Sequence, residues 1–164
     1  VGILYKEHIR YAFSNLLFIG IFFIIFGVFI YATKFSSEQK HKPSITDSLI
    51  IGFAQTLSLF PGISRSGMTV GSGLILGIKK EEAIKFSFLL AVPIILGATL
   101  VEAKEIALSN IPPTTLLTAF TITLLTSLVT IKLLIKIINS DKFHLFGIYN
   151  VVLGIIVLIL NFVN

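Results

Sequence analysis

The chain has 164 residues, of which 55% are hydrophobic and 13% are charged, and its mean hydropathy is +0.98. This balance is too apolar for an ordinary soluble domain and indicates a protein whose solvent is the lipid bilayer. The net charge of +5 does not point to nucleic acid, because the Lys and Arg residues lie in short tracts between apolar runs. The absence of cysteine excludes disulfides, thiolate metal sites and a cysteine nucleophile.

The first predicted element is a membrane-spanning helix at residues 11–33. This run is uncharged and meets the length of roughly 17 to 25 residues that a helical span needs. A tract that contains three lysines, residues 34–43, follows it. Such tracts are typical of the loops that join membrane spans.

The second predicted element, residues 45–78, is longer than one crossing needs. Pro61-Gly62 and Gly67 interrupt it, and Arg65 is the one charge within residues 48–78. We therefore predict two half-helices that meet at a loop and re-enter the bilayer. Irregular backbone at membrane depth is tolerated only where protein or a water-filled cavity satisfies its polar groups. Interrupted apolar segments of this kind point to a binding site near the midplane.

Three more spans are predicted, at residues 84–101, 114–135 and 144–163. Pro93 is expected to kink the first of them, and Pro112-Pro113 marks the start of the second because proline is tolerated where a helix begins. The sequence thus predicts an all-α, polytopic membrane protein with four transmembrane helices and one re-entrant helix-loop-helix.

The distribution of basic residues favours re-entry over crossing. If residues 45–78 turn back, nine lysines share one face, and Lys6, Arg10 and Lys104 lie on the other. If the segment crosses, the division becomes eight against four. Since positive loops are cytoplasmic, the first arrangement fits better and places the C-terminus outside.

Arg65 is the residue with the most distinctive chemistry, because a charge at the centre of a membrane helix costs at least about 2.5 to 3.5 kcal/mol. Its guanidinium can hold two phosphate oxygens at once, and the helix that follows offers free amides and the positive end of its dipole. The alternative is a structural ion pair, which the absence of Asp and Glu from the apolar runs disfavours. Three residues with hydroxyl side chains lie near Arg65 in the sequence, namely Ser64, Ser66 and Thr69. Two glycines, Gly62 and Gly67, would let the backbone approach a bulky anion closely.

The segment Gln55-Thr-Leu-Ser-Leu-Phe-Pro-Gly-Ile-Ser-Arg-Ser-Gly-Met-Thr69 resembles the second signature of the undecaprenyl-diphosphatase family, also called the bacitracin-resistance family. Phe86-Ser-Phe-Leu-Leu-Ala-Val-Pro93 resembles the segment that follows it, and the likeness extends along the chain as the C-terminal part of a family member. The resemblance implies removal of one phosphate from undecaprenyl diphosphate at the outer face of the bacterial plasma membrane. This reaction recycles the lipid carrier of cell-wall synthesis. The implied fold is half of an inverted-repeat architecture.

The resemblance also implies residue roles. Arg65, Ser64 and Thr69 would be catalytic, and the substrate-binding set would be Arg65, Ser64, Ser66, Gly62, Gly67 and Gln55. The first family signature, with its glutamates and a Ser-Ser-Ser-Gly-His element, is absent, so the nucleophile and the general acid or base are not identifiable here. We expect a missing N-terminal half to supply them. A divalent cation, Mg or Ca, would also have its ligands outside this chain.

Two other functions remain open on the residues alone. A transporter or lipid flippase would also place a charged, broken helix at the midplane. A purely structural membrane subunit is the third reading. A second re-entrant segment with glutamates and a histidine upstream would favour the hydrolase.

Overall fold

The computed structural model describes residue 13, residues 15–107 and residues 111–163. Within these residues the chain forms six α-helices and no β-strand, so the predicted all-α class is confirmed. Residues 11, 12 and 14 of the first predicted span lie outside the described residues, as do Lys6 and Arg10. The helices are α1 (Leu16–Ala32), α2 (Ile45–Thr56), α3 (Arg65–Ile75), α4 (Lys80–Ala107), α5 (Pro113–Asn139) and α6 (Leu145–Val163).

Four of these helices are long and apolar enough to cross a bilayer, as the sequence predicted. The qualifying stretches are Leu16–Phe35, Lys80–Leu100, Pro113–Asn139 and Leu145–Phe162. Large apolar side chains are exposed along all four, which a soluble protein avoids and a lipid-facing surface requires. Helix α4 continues through Pro93 without a break in its helical assignment.

Glycines bring α1 and α6 into backbone contact. A Cβ added to Gly27 would lie 2.7 Å from the carbonyl oxygen of Gly147, and one added to Gly154 would lie 2.7 Å from that of Gly20. In each helix the two glycines are seven residues apart and therefore lie on one face. This is the close packing that small residues permit in membranes, and it fixes α6 beside α1.

Helices α2 and α3 form a hairpin whose two ends meet. A capping box begins α2, in which Ser44 and Asp47 satisfy each other's backbone amides. Before α2, the backbone N–H of Lys40 donates to the carbonyl of Gly77 at 2.9 Å, and the N–H of Lys79 donates back to Lys40 at 3.0 Å. The chain therefore returns after α3 to the end from which α2 started. Its re-entry into a bilayer stays a prediction.

Charged side chains join three connecting segments at this same end. Lys80 at the start of α4 lies 2.5 Å from Asp141 in the turn between α5 and α6, and 3.5 Å from Glu38 before α2. Lys40 forms a further ion pair of 2.8 Å with Asp47. The pKa of Asp47 is lowered to about 2 by the hydrogen bond from Lys40, assisted by those from Ser44. Three of the predicted lysine tracts thus contribute to one polar end of the molecule.

The core lies between α3 and its neighbours rather than among the long helices. Ile30 of α1, Ile51 of α2 and Ile138 near the end of α5 are almost completely buried. By contrast, residues 92–100 of α4 and residues 111–130 are exposed throughout. Helix α3 is therefore the packed centre of the described structure, and its first residue lies at the opposite end from the lysines.

Candidate anion-binding site

The candidate site is the tip of the α2–α3 hairpin, where the chain turns through a short 3-10 helix (Leu57–Leu59) and the residues up to Ser64. Gly62 has φ +85°, a conformation that side chains other than glycine rarely adopt. Ser64 is the N-cap of α3, and its Oγ accepts a hydrogen bond from the amide of Gly67 at 3.2 Å. The cap defines where α3 begins, and the next residue is Arg65.

Arg65 is the first residue of α3 and is exposed. Within the described residues its side chain makes no ion pair and no hydrogen bond to another side chain. A structural ion pair of Arg65 therefore has no acidic partner among the described residues. A guanidinium without a carboxylate is free to bind an external anion with paired donors.

The backbone at the start of α3 reinforces this property. The Gly67 amide is bonded to Ser64, and the Met68 amide donates to the carbonyl of Ser64 at 2.9 Å. The amides of Arg65 and Ser66 precede the first helical hydrogen bond and have no acceptor within the helix. They lie at the positive end of the dipole of an 11-residue helix. The Oγ atoms of Ser64 and Ser66, 3.3 Å apart and exposed, add donors beside them.

Thr69 does not share the exposure of the tip. Its residue is 3% exposed, and its hydroxyl donates to the carbonyls of Arg65 at 3.1 Å and Ser66 at 3.2 Å. It also lies 2.5 Å from the Oγ of Ser87 in α4. The hydroxyl that the sequence predicted to be catalytic is therefore buried and hydrogen-bonded within the protein.

Packing accounts for the two glycines that the sequence assigned to substrate binding. A Cβ on Gly67 would collide with the ring of Phe26 in α1, and one on Gly62 would lie 3.2 Å from Phe23. Both positions thus let α1 approach the tip closely. Their predicted contact with an anion stays a prediction.

Gln55 lies in the last turn of α2 and is buried, unlike Ser64 and Ser66. Its residue is 9% exposed, and its Oε1 has no hydrogen-bond partner within the described part of the protein. A buried acceptor without a donor costs free energy, so the position is one that a bound group or water would stabilise. Substrate binding by Gln55 stays a prediction.

A cavity of about 130 Å³ adjoins the tip and contains a residue that the sequence reasoning did not single out. Ser64, Ser66 and Gly67 of the tip line it, and Asn150 of α6 contributes a further polar side chain. The signal in the sequence was an amide inside an apolar span. The apolar walls are Phe26, Ile30, Val70, Leu134, Phe143 and Phe146.

The described residues contain no group of three or more His, Asp or Glu side chains that could hold a metal ion. The tip offers hydroxyls, amides and a guanidinium, which suit an anion rather than a cation. The residues present therefore do not fit a divalent cation by themselves.

Known proteins resemble this chain along nearly its whole length. The family model described as bacitracin resistance protein BacA matches residues 1–156. A protein of Methanosphaera stadtmanae named undecaprenyl-diphosphatase is 40% identical over 99% of this chain and 60% of its own length. Proteins of the same name from Methanothermobacter thermautotrophicus and Pelotomaculum thermopropionicum are 35% and 37% identical, over 96% and 98% of this chain.

The extent of these matches differs among the relatives. The chain spans 60% and 61% of the length of the Methanosphaera and Pelotomaculum proteins, but 91% of the Methanothermobacter protein. The family resemblance is confirmed, and the similarity covers both the tip and the helices that hold it. The comparisons do not support the expected missing N-terminal half as such.

Proposed function

Since this chain belongs to the bacitracin resistance protein BacA family, we propose that its α2–α3 tip binds the diphosphate of undecaprenyl diphosphate and contributes to removal of one phosphate. The observation that carries the proposal is Arg65, an exposed guanidinium at a helix N-terminus with no acidic partner in the described residues. The names of the relatives supply the substrate.

The chemistry of the tip suits the charge of a diphosphate. Arg65 would hold two phosphate oxygens in a planar pair of hydrogen bonds, while the amides of Arg65 and Ser66 point along the helix dipole. These donors are preorganised by the Ser64 cap, so they need no rearrangement as negative charge shifts toward the leaving phosphate. The bound anion would in turn offset the cost of keeping Arg65 in an apolar region.

Hydrolysis also needs a proton acceptor and a proton donor. Water attacks the terminal phosphorus, the bond to the bridging oxygen breaks, and the products are lipid monophosphate and inorganic phosphate. Asp47 is unsuitable as a base, because its carboxylate is bonded to Lys40 and Ser44 at the other end of the hairpin. None of the described residues that line the cavity beside the tip is an Asp, Glu or His, so we expect the general acid and base to come from a second component, either a further segment or a separate chain. A divalent cation, Mg or Ca, would have its ligands there as well.

The proposed orientation of the chain in the membrane follows from the polar end of the molecule, where Lys40 and Lys79 lie. The hydrogen bonds between Lys40 and Gly77 and between Lys79 and Lys40 support a hairpin that enters and leaves the bilayer on one side. Lysines mark that side as cytoplasmic. Helix α6 starts there and crosses, so the C-terminus lies outside a bacterial-type plasma membrane, with the tip reaching toward the outer half. The transporter reading is not favoured by the names of the relatives.

Binding and turnover test the two parts of the proposal separately. The purified chain in lipid nanodiscs is titrated with undecaprenyl diphosphate, and phosphate release is followed in parallel. We expect binding that is lost in Arg65→Ala and kept in Lys132→Ala, which removes a charge from exposed α5. Equal binding by both variants would refute the role of the tip. Rapid turnover by the chain alone would refute the need for a second component.

A further inference from the structure

Thr69 of α3 and Ser87 of α4 form a buried hydroxyl pair directly behind the candidate site. Their oxygens are 2.5 Å apart, and the residues are 3% and 6% exposed. A hydroxyl buried in an apolar interface costs free energy unless it is hydrogen-bonded, and here each is the partner of the other. The pair is thus a specific contact between two otherwise apolar helix faces.

The donors and acceptors of the pair can be assigned. The Thr69 hydroxyl has one proton, which is directed at the carbonyls of Arg65 and Ser66, 3.1 and 3.2 Å away. With that proton directed at the carbonyls, Ser87 is the donor of the contact between the hydroxyls, and one of the two lone pairs of Thr69 accepts its proton. The connection therefore runs from α4 through Thr69 to the backbone of the two residues that carry the free amides of the tip.

The next contact between α3 and α4, one helical turn away, is made by small residues without polar side chains. A Cβ on Gly73, four residues after Thr69, would lie 3.0 Å from the Cβ of Ala83, four residues before Ser87. Small residues at that turn set the spacing of the two antiparallel helices but supply no directional contact. The hydroxyl pair adds a hydrogen bond, whose strength depends on the orientation of the two side chains.

We propose that Ser87 is a positioning residue, which acts through Thr69 to hold the first turn of α3 and thereby the direction of the Arg65 guanidinium. This inference rests on the proposed function of the tip. In this proposal Thr69 links Ser87 to the backbone of Arg65 and Ser66 and does not contact the reacting phosphate. Removal of the Ser87 hydroxyl leaves α3 packed but lets its first turn shift.

The test is a double-mutant cycle of Ser87→Ala and Arg65→Lys, read as the affinity of the chain in nanodiscs for farnesyl diphosphate, a short isoprenoid diphosphate. Thr99→Val is the matched control, because it removes an exposed hydroxyl that only bonds the carbonyl of Ile95 in the same helix. Ser87→Thr keeps the hydroxyl. Melting temperature is measured for every variant.

We expect Ser87→Ala to weaken binding about tenfold, the change that corresponds to one net hydrogen bond, and Ser87→Thr to restore most of it. In the Arg65→Lys background Ser87→Ala should cause little further loss, since its effect passes through the guanidinium. Thr99→Val should bind normally. Normal binding by Ser87→Ala, or additive losses in the cycle, would overturn the positioning role while leaving the proposed function intact. Normal binding by Arg65→Lys would overturn both.

Discussion

The backbone N–H of Lys40 donates to the carbonyl of Gly77 at 2.9 Å, so the residues that flank the α2–α3 hairpin lie side by side. This contact predicts that residues just before α2 and just after α3 face the same compartment. Because the sequence contains no cysteine, Lys42→Cys and Glu81→Cys give single labelling sites on the two flanks. Both should react with an impermeant maleimide only from the cytoplasmic side. Labelling of the two positions from opposite sides would exclude re-entry.

Replacement of Arg65 separates charge from geometry. Arg65→Lys keeps the positive charge but loses the planar fork of donors. We therefore expect kcat/KM of the catalytically complete protein to fall by an amount equivalent to about 2 to 4 kcal/mol of lost transition-state stabilisation. The melting temperature should stay near that of the wild type, since Arg65 is exposed and has no partner in the described residues. Wild-type activity in Arg65→Lys would argue against a phosphate clamp. A large loss of stability in Arg65→Ala would instead favour a structural ion pair.

The glycine contact between α1 and α6 should be intolerant of side chains. In Gly27→Ala the new methyl would lie 2.7 Å from the Gly147 carbonyl, so the helices must separate, at a cost of about 1 to 3 kcal/mol. Gly97→Ala is the matched control, since a Cβ there meets nothing within 4 Å and helix interiors favour alanine. Melting temperatures in detergent should fall for the first variant and not for the second. The same melting temperature for both variants would contradict the close contact.

Asp47 gives stability a defined dependence on pH. Its pKa is lowered to about 2 in the folded protein from an ordinary value of 3.8, because it accepts hydrogen bonds from Lys40 and Ser44. A lowered folded-state pKa stabilises the fold above the ordinary value and loses this effect as pH falls toward 2. Melting temperatures measured between pH 6 and 2 should therefore drop below about pH 4.

The variant Asp47→Asn should be less stable at neutral pH and should show a weaker decline in acid. Asp141→Asn serves as its control, because the Asp141 side chain is largely exposed and salt bridges of this kind contribute little. An unchanged acid decline in Asp47→Asn would assign the titration to other groups.

The sequence by itself determined the class of protein, the number of long apolar helices and the place where the second predicted element is interrupted. Length and apolar composition are sufficient for four membrane helices, because the bilayer fixes how many apolar residues a span needs. Pro61-Gly62 located the interruption, whereas Gly67, which the sequence also predicted to interrupt the segment, lies inside α3. The helix begins at Arg65 itself, one residue earlier than predicted. The segment from Gln55 to Thr69 was specific enough to identify the family.

The tertiary structure decided which residues work together, since contacts between distant helices leave no local pattern. The pairing of Gly27 with Gly147 depends on how α1 and α6 are arranged in space, and periodicity within either helix does not reveal it. The hydroxyl of Thr69 looks available in the sequence, but packing of α3 on α4 buries it against Ser87. A hydroxyl four residues into a helix can face substrate or core, and only the rotation of that helix against its neighbour chooses between them.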